Sequence, residues 1–135
     1  MFETKFVVVV REDLAAWQKL NVTAFLSTGI AAAKPDIIGE SYRDAAGNVY
    51  HPMSIQPVIV LSADKETIGR IHQRTLNRSV PASLYIEEMF ATGHDTANRQ
   101  VFAEFGPETA KVVGLAFHCD RKIADKISRG ARMHA

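Results

Sequence analysis

Two sets of polar residues stand where chemistry is possible. The first is Arg11, Asp13, Asn21 and Thr28. Arg11 and Asp13 end an apolar run, and ligands of open α/β sheets bind where such strands end. Asn21 and Thr28 lie seven residues apart, two helical turns, so a helix places them on one face. A helix beginning at Asn21 would present free N–H groups and a partial positive charge, suited to a carboxylate or phosphate. The plainer reading is that Asn21 caps the helix and Thr28 packs. The second set is Glu88 and Thr92, four apart across a turn. Glu87 points the other way, because adjacent side chains at a strand end alternate. A carboxylate beside a hydroxyl can orient a water or accept a proton. The plainer reading leaves both glutamates as solvated strand-end charges.

Other combinations carry less. Tyr42, Asp44, His51, His94 and Asp95 raise the question of a metal, but the sequence has no HxH, HExxH or Cys/His quartet, and no metal is expected. Tyr42 and Asp44 suit hydrogen bonds that close a turn. Cys119 is the single cysteine. It excludes an internal disulfide and reads as a small buried hydrophobe rather than a nucleophile. No GxSxG, phosphate-loop or dinucleotide pattern is present, and no cofactor is expected.

The element that must position the first set is Lys5 to Arg11, four valines behind a phenylalanine. Such a β-branched run suits a strand buried on both faces. Glu12 to Lys19 then reads as a loop. A helix over Leu20 to Lys34 follows, capped by Asn21, with Val22, Phe25, Leu26, Gly29, Ile30 and Ala33 as its stripe, and Pro35 ends it. Ser41–Arg43 and Val49–His51 flank Gly47 and Asn48, a hairpin signal. Val58–Leu61 is a second buried strand. Ser62 or Asp64 caps a helix to about Asn77, with Ile68, Ile71, Thr75 and Leu76 inward. Ser79–Ile86 is a third strand and positions Glu88. Thr92 to Phe105 reads as a helix capped by Thr92 or Asp95, with Val101, Phe102 and Phe105 inward. Val112–Phe117 is a fourth strand, and Asp120 caps a last helix to about Ala131. Alternating strands and helices predict a three-layer α/β/α sandwich.

The 135 residues, 47% hydrophobic and 23% charged, fit one domain over 1–135. A net charge of +1 is too neutral for a polyanion-coating protein, although a local basic patch fits. The apolar runs are too short to span a membrane. The opening residues lack the parts of a signal peptide, so a cytoplasmic protein is expected. Trp17, Phe2 and Met53 are either surface anchors of an interaction module such as a homodimer or core residues.

Lys5–Leu14, with its valine-rich strand running into Arg–x–Asp–Leu, resembles the opening of class II peptidyl-tRNA hydrolases. Asn21–Thr28, Val58–Ser62, Val112–Leu115 and Asp125–Ile127 follow in that family's order. The whole chain resembles more closely a related family numbered two thousand among the domains of unknown function, in its Asn21 neighbourhood, Tyr42–Asp44–Gly47 turn and Glu87–Glu88 segment. The resemblance implies a mixed, mostly parallel sheet of about four strands. It also implies cofactor-independent cleavage of the ester joining peptide to tRNA. Where the hydrolases carry a lysine and a histidine on the first helix, this chain has Asn21 and Thr28; their carboxylate and threonine fall on Glu88 and Thr92. Without the cation and the imidazole, a phosphate or oxyanion partner and a proton carrier are missing. The leading expectation is therefore a binding protein for a small anionic or nucleotide-like ligand at the end of the first strand, held by Arg11, Asp13, Asn21 and Thr28. The alternative is an ester hydrolase acting on peptidyl-tRNA or a related aminoacyl ester, with Glu88 and Thr92 as its catalytic pair.

Overall fold

The structure is a computed structural model and describes residues 2–135. In chain order the strands are β1 (Thr4–Arg11), β2 (Tyr42–Arg43), β3 (Val49–Tyr50), β4 (Val58–Ala63), β5 (Ala82–Ile86), β6 (Val112–Asp120) and β7 (Arg132–Met133). The helices are α1 (Ala16–Ala33), α2 (Lys65–Asn77), α3 (Asp95–Phe102) and α4 (Arg121–Ile127), with short 3-10 turns at Pro35–Ile37 and Glu87–Ala91.

The valine run lies in the middle of the main sheet, whose order is β5-β6-β1-β4-β7. Its alternation divides the core. Phe6, Val8 and Val10 pack with Val22, Leu26 and Ile30 of α1, whereas Val7 and Val9 pack with residues of α2 and α4. All five are nearly or wholly excluded from solvent. Helices on both faces give the three layers expected from the sequence.

The direction of the strands departs from expectation. Among the described residues only β1 and β4 of this sheet run parallel; β6 pairs antiparallel with both β1 and β5, and β7 antiparallel with β4. The sheet is mixed and has five strands, not a mostly parallel four. A strand covered on both faces is apolar throughout whichever way its neighbours run, so β6 gave no sign of its direction. Two-residue β7 is too short to show an alternation.

α1 begins a turn earlier than its stripe suggests. The Gln18 side chain accepts a hydrogen bond from the Ala15 N–H at 3.0 Å, which satisfies one of the free donors at the start. Trp17 and Leu20 are 62% and 73% exposed, so the first turn carries no apolar face to the core. Asn21 is consequently inside the helix and caps nothing; the free N–H groups expected there belong to a start near Ala16. α1 sits close on the sheet at Gly114, where a Cβ would lie 2.5 Å from Val22 Cγ1.

Other caps vary. Asp64 caps α2 by accepting from Thr67 N–H at 2.8 Å, and Asp120 caps α4. α3 is shorter than expected and is capped by His94, whose Nδ1 accepts from Ala97 N–H at 3.2 Å. None of its residues is buried; Val101 and Phe105 are half-buried and Phe102 is exposed, so the expected inward face does not form. The hairpin of β2 and β3 forms as expected, with Gly47 at φ +84°. Asp44 holds its turn, accepting from Ala46 N–H, Asn48 N–H, the Asn48 amide and the Tyr50 hydroxyl. These bonds, those from Asn48 first, hold the Asp44 carboxyl below its ordinary pKa. Among the described residues no helix is long and apolar enough to cross a membrane.

Candidate functional site

Two clefts open where β1 and β5 finish and β6 begins. They lie on opposite faces of the sheet, and they separate Arg11 from Asn21 and Thr92.

The first lies on the α1 face and is mainly aromatic. Trp17, Asn21 and Phe25 recur every four residues along α1, so they form one stripe beside the core stripe of Val22, Leu26 and Ile30. Opposite them stand Tyr85 at the end of β5 and Met89 and Phe90 of the following 3-10 turn. Thr92, His94, Asp95 and Asn98 close the far side. The rings interlock: Trp17 meets Phe90 edge-on at 6.1 Å between centroids, Phe25 meets Tyr85 at 5.9 Å, and Tyr85 lies 5.2 Å from Phe90. The cavity measures about 360 Å³. A second hollow past Asn98 shares Phe25 and Met89 with it and continues to Phe102.

Polar groups are few here. The Thr92 hydroxyl lies between the Met89 carbonyl oxygen, at 2.9 Å, and the Asn98 side-chain amide. His94 accepts at Nδ1, so its proton sits on Nε2. Asp95 pairs with Arg99 at 2.7 Å in an exposed bridge. Tyr85 is 5% exposed, and burial raises its phenol pKa. Its hydroxyl makes no hydrogen bond to any described residue. No lysine or arginine lines the cavity.

The second cleft is on the α2 face, about 220 Å³ in volume, between α2 and the 107–111 turn. Arg11 lines it, as strand alternation requires of the residue two beyond Val9. The guanidinium is almost wholly buried. Its Nε donates to Asp13 Oδ1 at 2.6 Å and its Nη1 to Glu87 Oε2 at 3.3 Å. Burial alone would lower its pKa, but the bonds to Asp13 and Glu87 outweigh it and the pKa is raised. Lys65, His72 and Lys111 also line this cleft.

The expected residues are thus separated. Asn21 and Thr92 meet in the aromatic cleft. Arg11, with Asp13 on it, belongs to the other. Thr28 lines neither; its exposed hydroxyl donates to the Phe25 carbonyl at 2.6 Å. Glu88 also lines neither, and its Oε1 is buried with no hydrogen-bond partner among the described residues. Cys119 is half-buried; burial first and then Asp120 raise its pKa, which leaves it a thiol. Sequence reasoning missed Tyr85, Phe90, Asn98, Lys65, His72 and Lys111 as site residues. One signal was there to find: the stripe Trp17–Asn21–Phe25, offset by one from the core stripe, joins two aromatic residues to an amide.

These features define a mixed-sheet α/β protein with a ligand-sized aromatic cleft between α1, the end of β5 and the turn that follows it. The chain belongs to the family described as Protein of unknown function (DUF2000), whose family model matches residues 4–135. A solved structure described as a protein of unknown function, Atu0240, from Agrobacterium tumefaciens str. C58 is 64% identical. It superposes with a TM-score of 0.98, and the match covers 100% of each chain. No curated protein gives a match.

Proposed function

We propose that the protein binds a small ligand with a planar, nucleoside-like ring in the aromatic cleft. The observation that carries this reading is the Tyr85 hydroxyl, on a nearly buried side chain in the cleft wall and without a partner. The hydroxyl is not buried but reaches the cleft, so a ligand's hydrogen bond would replace one made to water there. Trp17, Phe25 and Phe90 offer ring surfaces, and aromatic groups pack well edge-on or offset. The amides of Asn21 and Asn98 supply donors and acceptors for the edge of a ring. A cavity of about 360 Å³ is within the range of small-molecule sites. With no lysine or arginine in its lining, the cleft suits the ring of a nucleotide-like ligand rather than its charge.

Calorimetric titration with adenosine, guanosine, cytidine and uridine tests this, with ribose as the control that lacks a ring. At least one nucleoside should bind and ribose should not, and Tyr85→Phe or Asn98→Ala should weaken binding about tenfold, the worth of one hydrogen bond. Four nucleosides that give neither heat nor thermal stabilisation at millimolar concentration would sink the reading.

A second reading, hydrolysis of peptidyl-tRNA or a related aminoacyl ester, rests on the resemblance to class II peptidyl-tRNA hydrolases. One observation favours it: Glu88 Oε1 is buried with no hydrogen-bond partner among the described residues, the state of a carboxylate whose donor is still to come. Release of labelled peptide from peptidyl-tRNA is the measurement. A rate equal to the enzyme-free control rejects that substrate.

A further inference from the structure

We propose that the cleft between α2 and the 107–111 turn is a second site, for a small oxyanion such as phosphate. It is independent of the aromatic cleft, which lies on the other face of the sheet.

Three observations point to it. His72 lines the cleft at 7% exposure, and its imidazole makes no hydrogen bond to any described residue. Its ring nitrogens are not buried atoms but open into the cleft, where they are available to a ligand from an otherwise enclosed side chain. The second is the charge of the lining. Arg11, Lys65 and Lys111 line the cleft with Glu108, and the carboxylates of Asp13 and Glu87 sit on Arg11. Arg11 is engaged by Asp13 and Glu87, but Lys65 and Lys111 make no ion pair with any described residue. The Arg11 Nη2 group has no partner among the described residues either.

The third is how the walls are held. Gln73 Nε2 donates to the Pro107 carbonyl at 3.4 Å, tying the turn to α2. Glu87 N–H donates to the Lys111 carbonyl at 2.9 Å, tying its other end to the segment that holds Arg11. Inside the turn, Ala110 N–H donates to the Gly106 carbonyl at 2.9 Å. The backbone that carries Lys111 and faces α2 is therefore held in place before a ligand arrives, which lowers the ordering cost of binding. Imidazole N–H, guanidinium N–H and two ammonium groups all donate, and an oxyanion accepts from each. A cavity of about 220 Å³ matches a small anion with a few waters better than a whole nucleotide.

The test compares sodium phosphate with sodium chloride at matched ionic strength, because general screening affects both alike. Thermal stabilisation and the His72 imidazole resonances are the readouts. Phosphate should raise the melting temperature well above chloride and shift the His72 resonances. The exposed double variant Lys65→Gln/Lys111→Gln should lose at least tenfold in phosphate affinity. Glycerol phosphate and acetate distinguish sources: the tighter of the two identifies a phosphomonoester or a carboxylate as the natural group, and either supports an oxyanion site. Equal stabilisation by chloride overturns the proposal. So does a phosphate effect that survives in the double lysine variant. Should His72→Asn fail to fold, the unmodified protein still decides the matter, because His72 resonances that stay unchanged on adding phosphate overturn the proposal as well.

Discussion

The two clefts share an end of the sheet and differ in almost everything else. The aromatic cleft has the side chains of one tryptophan, one tyrosine and two phenylalanines, a histidine, two amides and no lysine or arginine. The basic cleft has an arginine, two lysines and a histidine in a smaller space. Each contains one nearly buried side chain without a partner, Tyr85 in the first and His72 in the second. The difference follows from β1. Its alternating residues put valines toward α1 and Arg11 toward α2, so one strand end supplies charge to one face only. The faces still touch through one bond. Glu87, which holds Arg11, begins the turn whose Met89 and Phe90 wall the aromatic cleft.

The largest effect is expected at Tyr85. Tyr85→Ala removes a ring that contacts both Phe25 and Phe90, and truncation of a buried aromatic costs about 3–5 kcal/mol. Urea unfolding should show that loss, together with loss of nucleoside binding. Tyr85→Phe keeps the ring and discards only an unpartnered hydroxyl, so stability should hold or rise while nucleoside binding weakens. A large stability loss in Tyr85→Phe would mean that the hydroxyl already has a partner, and the asymmetry between packing and recognition would fail.

Gly114→Ala separates the clefts at a smaller cost. The new methyl group would meet Val22 Cγ1 at 2.5 Å and must push α1 away from β6. Overpacking of this kind costs about 1–3 kcal/mol. Trp17, Asn21 and Phe25 ride on α1, so nucleoside affinity should fall. His72, Lys65 and Lys111 lie outside α1 and the phosphate response should remain. Parallel titrations of both ligands on this variant check the claim; equal losses would show that the two faces are not independent.

Much of this arrangement was legible in the residues. The valine run marked a doubly covered strand, Asp64 and Asp120 marked their helices, and Gly47 marked the hairpin. Asn21 and Thr92 were singled out and do share a cleft. What failed had physical causes. Asn21 looked like a cap because the true first turn, with Trp17 and Leu20 exposed, shows no stripe. Arg11 and Asn21 seemed to face each other because sequence order does not state which side of a sheet an odd or even residue takes. His72 was not singled out in the sequence, because it stands outside the stripe of Ile68, Ile71, Thr75 and Leu76, yet it is buried beside the core residues Ile68 and Ile71. The aromatic wall was hidden because Tyr85 and Phe90 straddle a strand-to-turn junction, where neither the period of a strand nor that of a helix applies.

The smallest expected effect concerns pH, and it tells the clefts apart by their titratable group. Burial disfavours the charged form of His72 and lowers its pKa below the ordinary value near 6.5. The unfolded chain therefore takes up a proton before the folded protein does. Stability from this group is fully present above about pH 6.5 and is lost as pH falls toward the folded pKa. His118 acts in the same direction, through burial first and then the nearby Lys34 charge. Asp44 and Asp64, whose pKa values are lowered, enter only near pH 4 and below. Urea midpoints between pH 7.5 and 5 should therefore decline, and His72→Asn should flatten part of that decline. Phosphate should flatten it as well, since an anion in the basic cleft favours the imidazolium. A nucleoside in the aromatic cleft, distant from His72 across the sheet, should raise the whole curve without changing its slope. A nucleoside that flattened the curve as phosphate does would show that the Arg11–Glu87 bond couples the two faces.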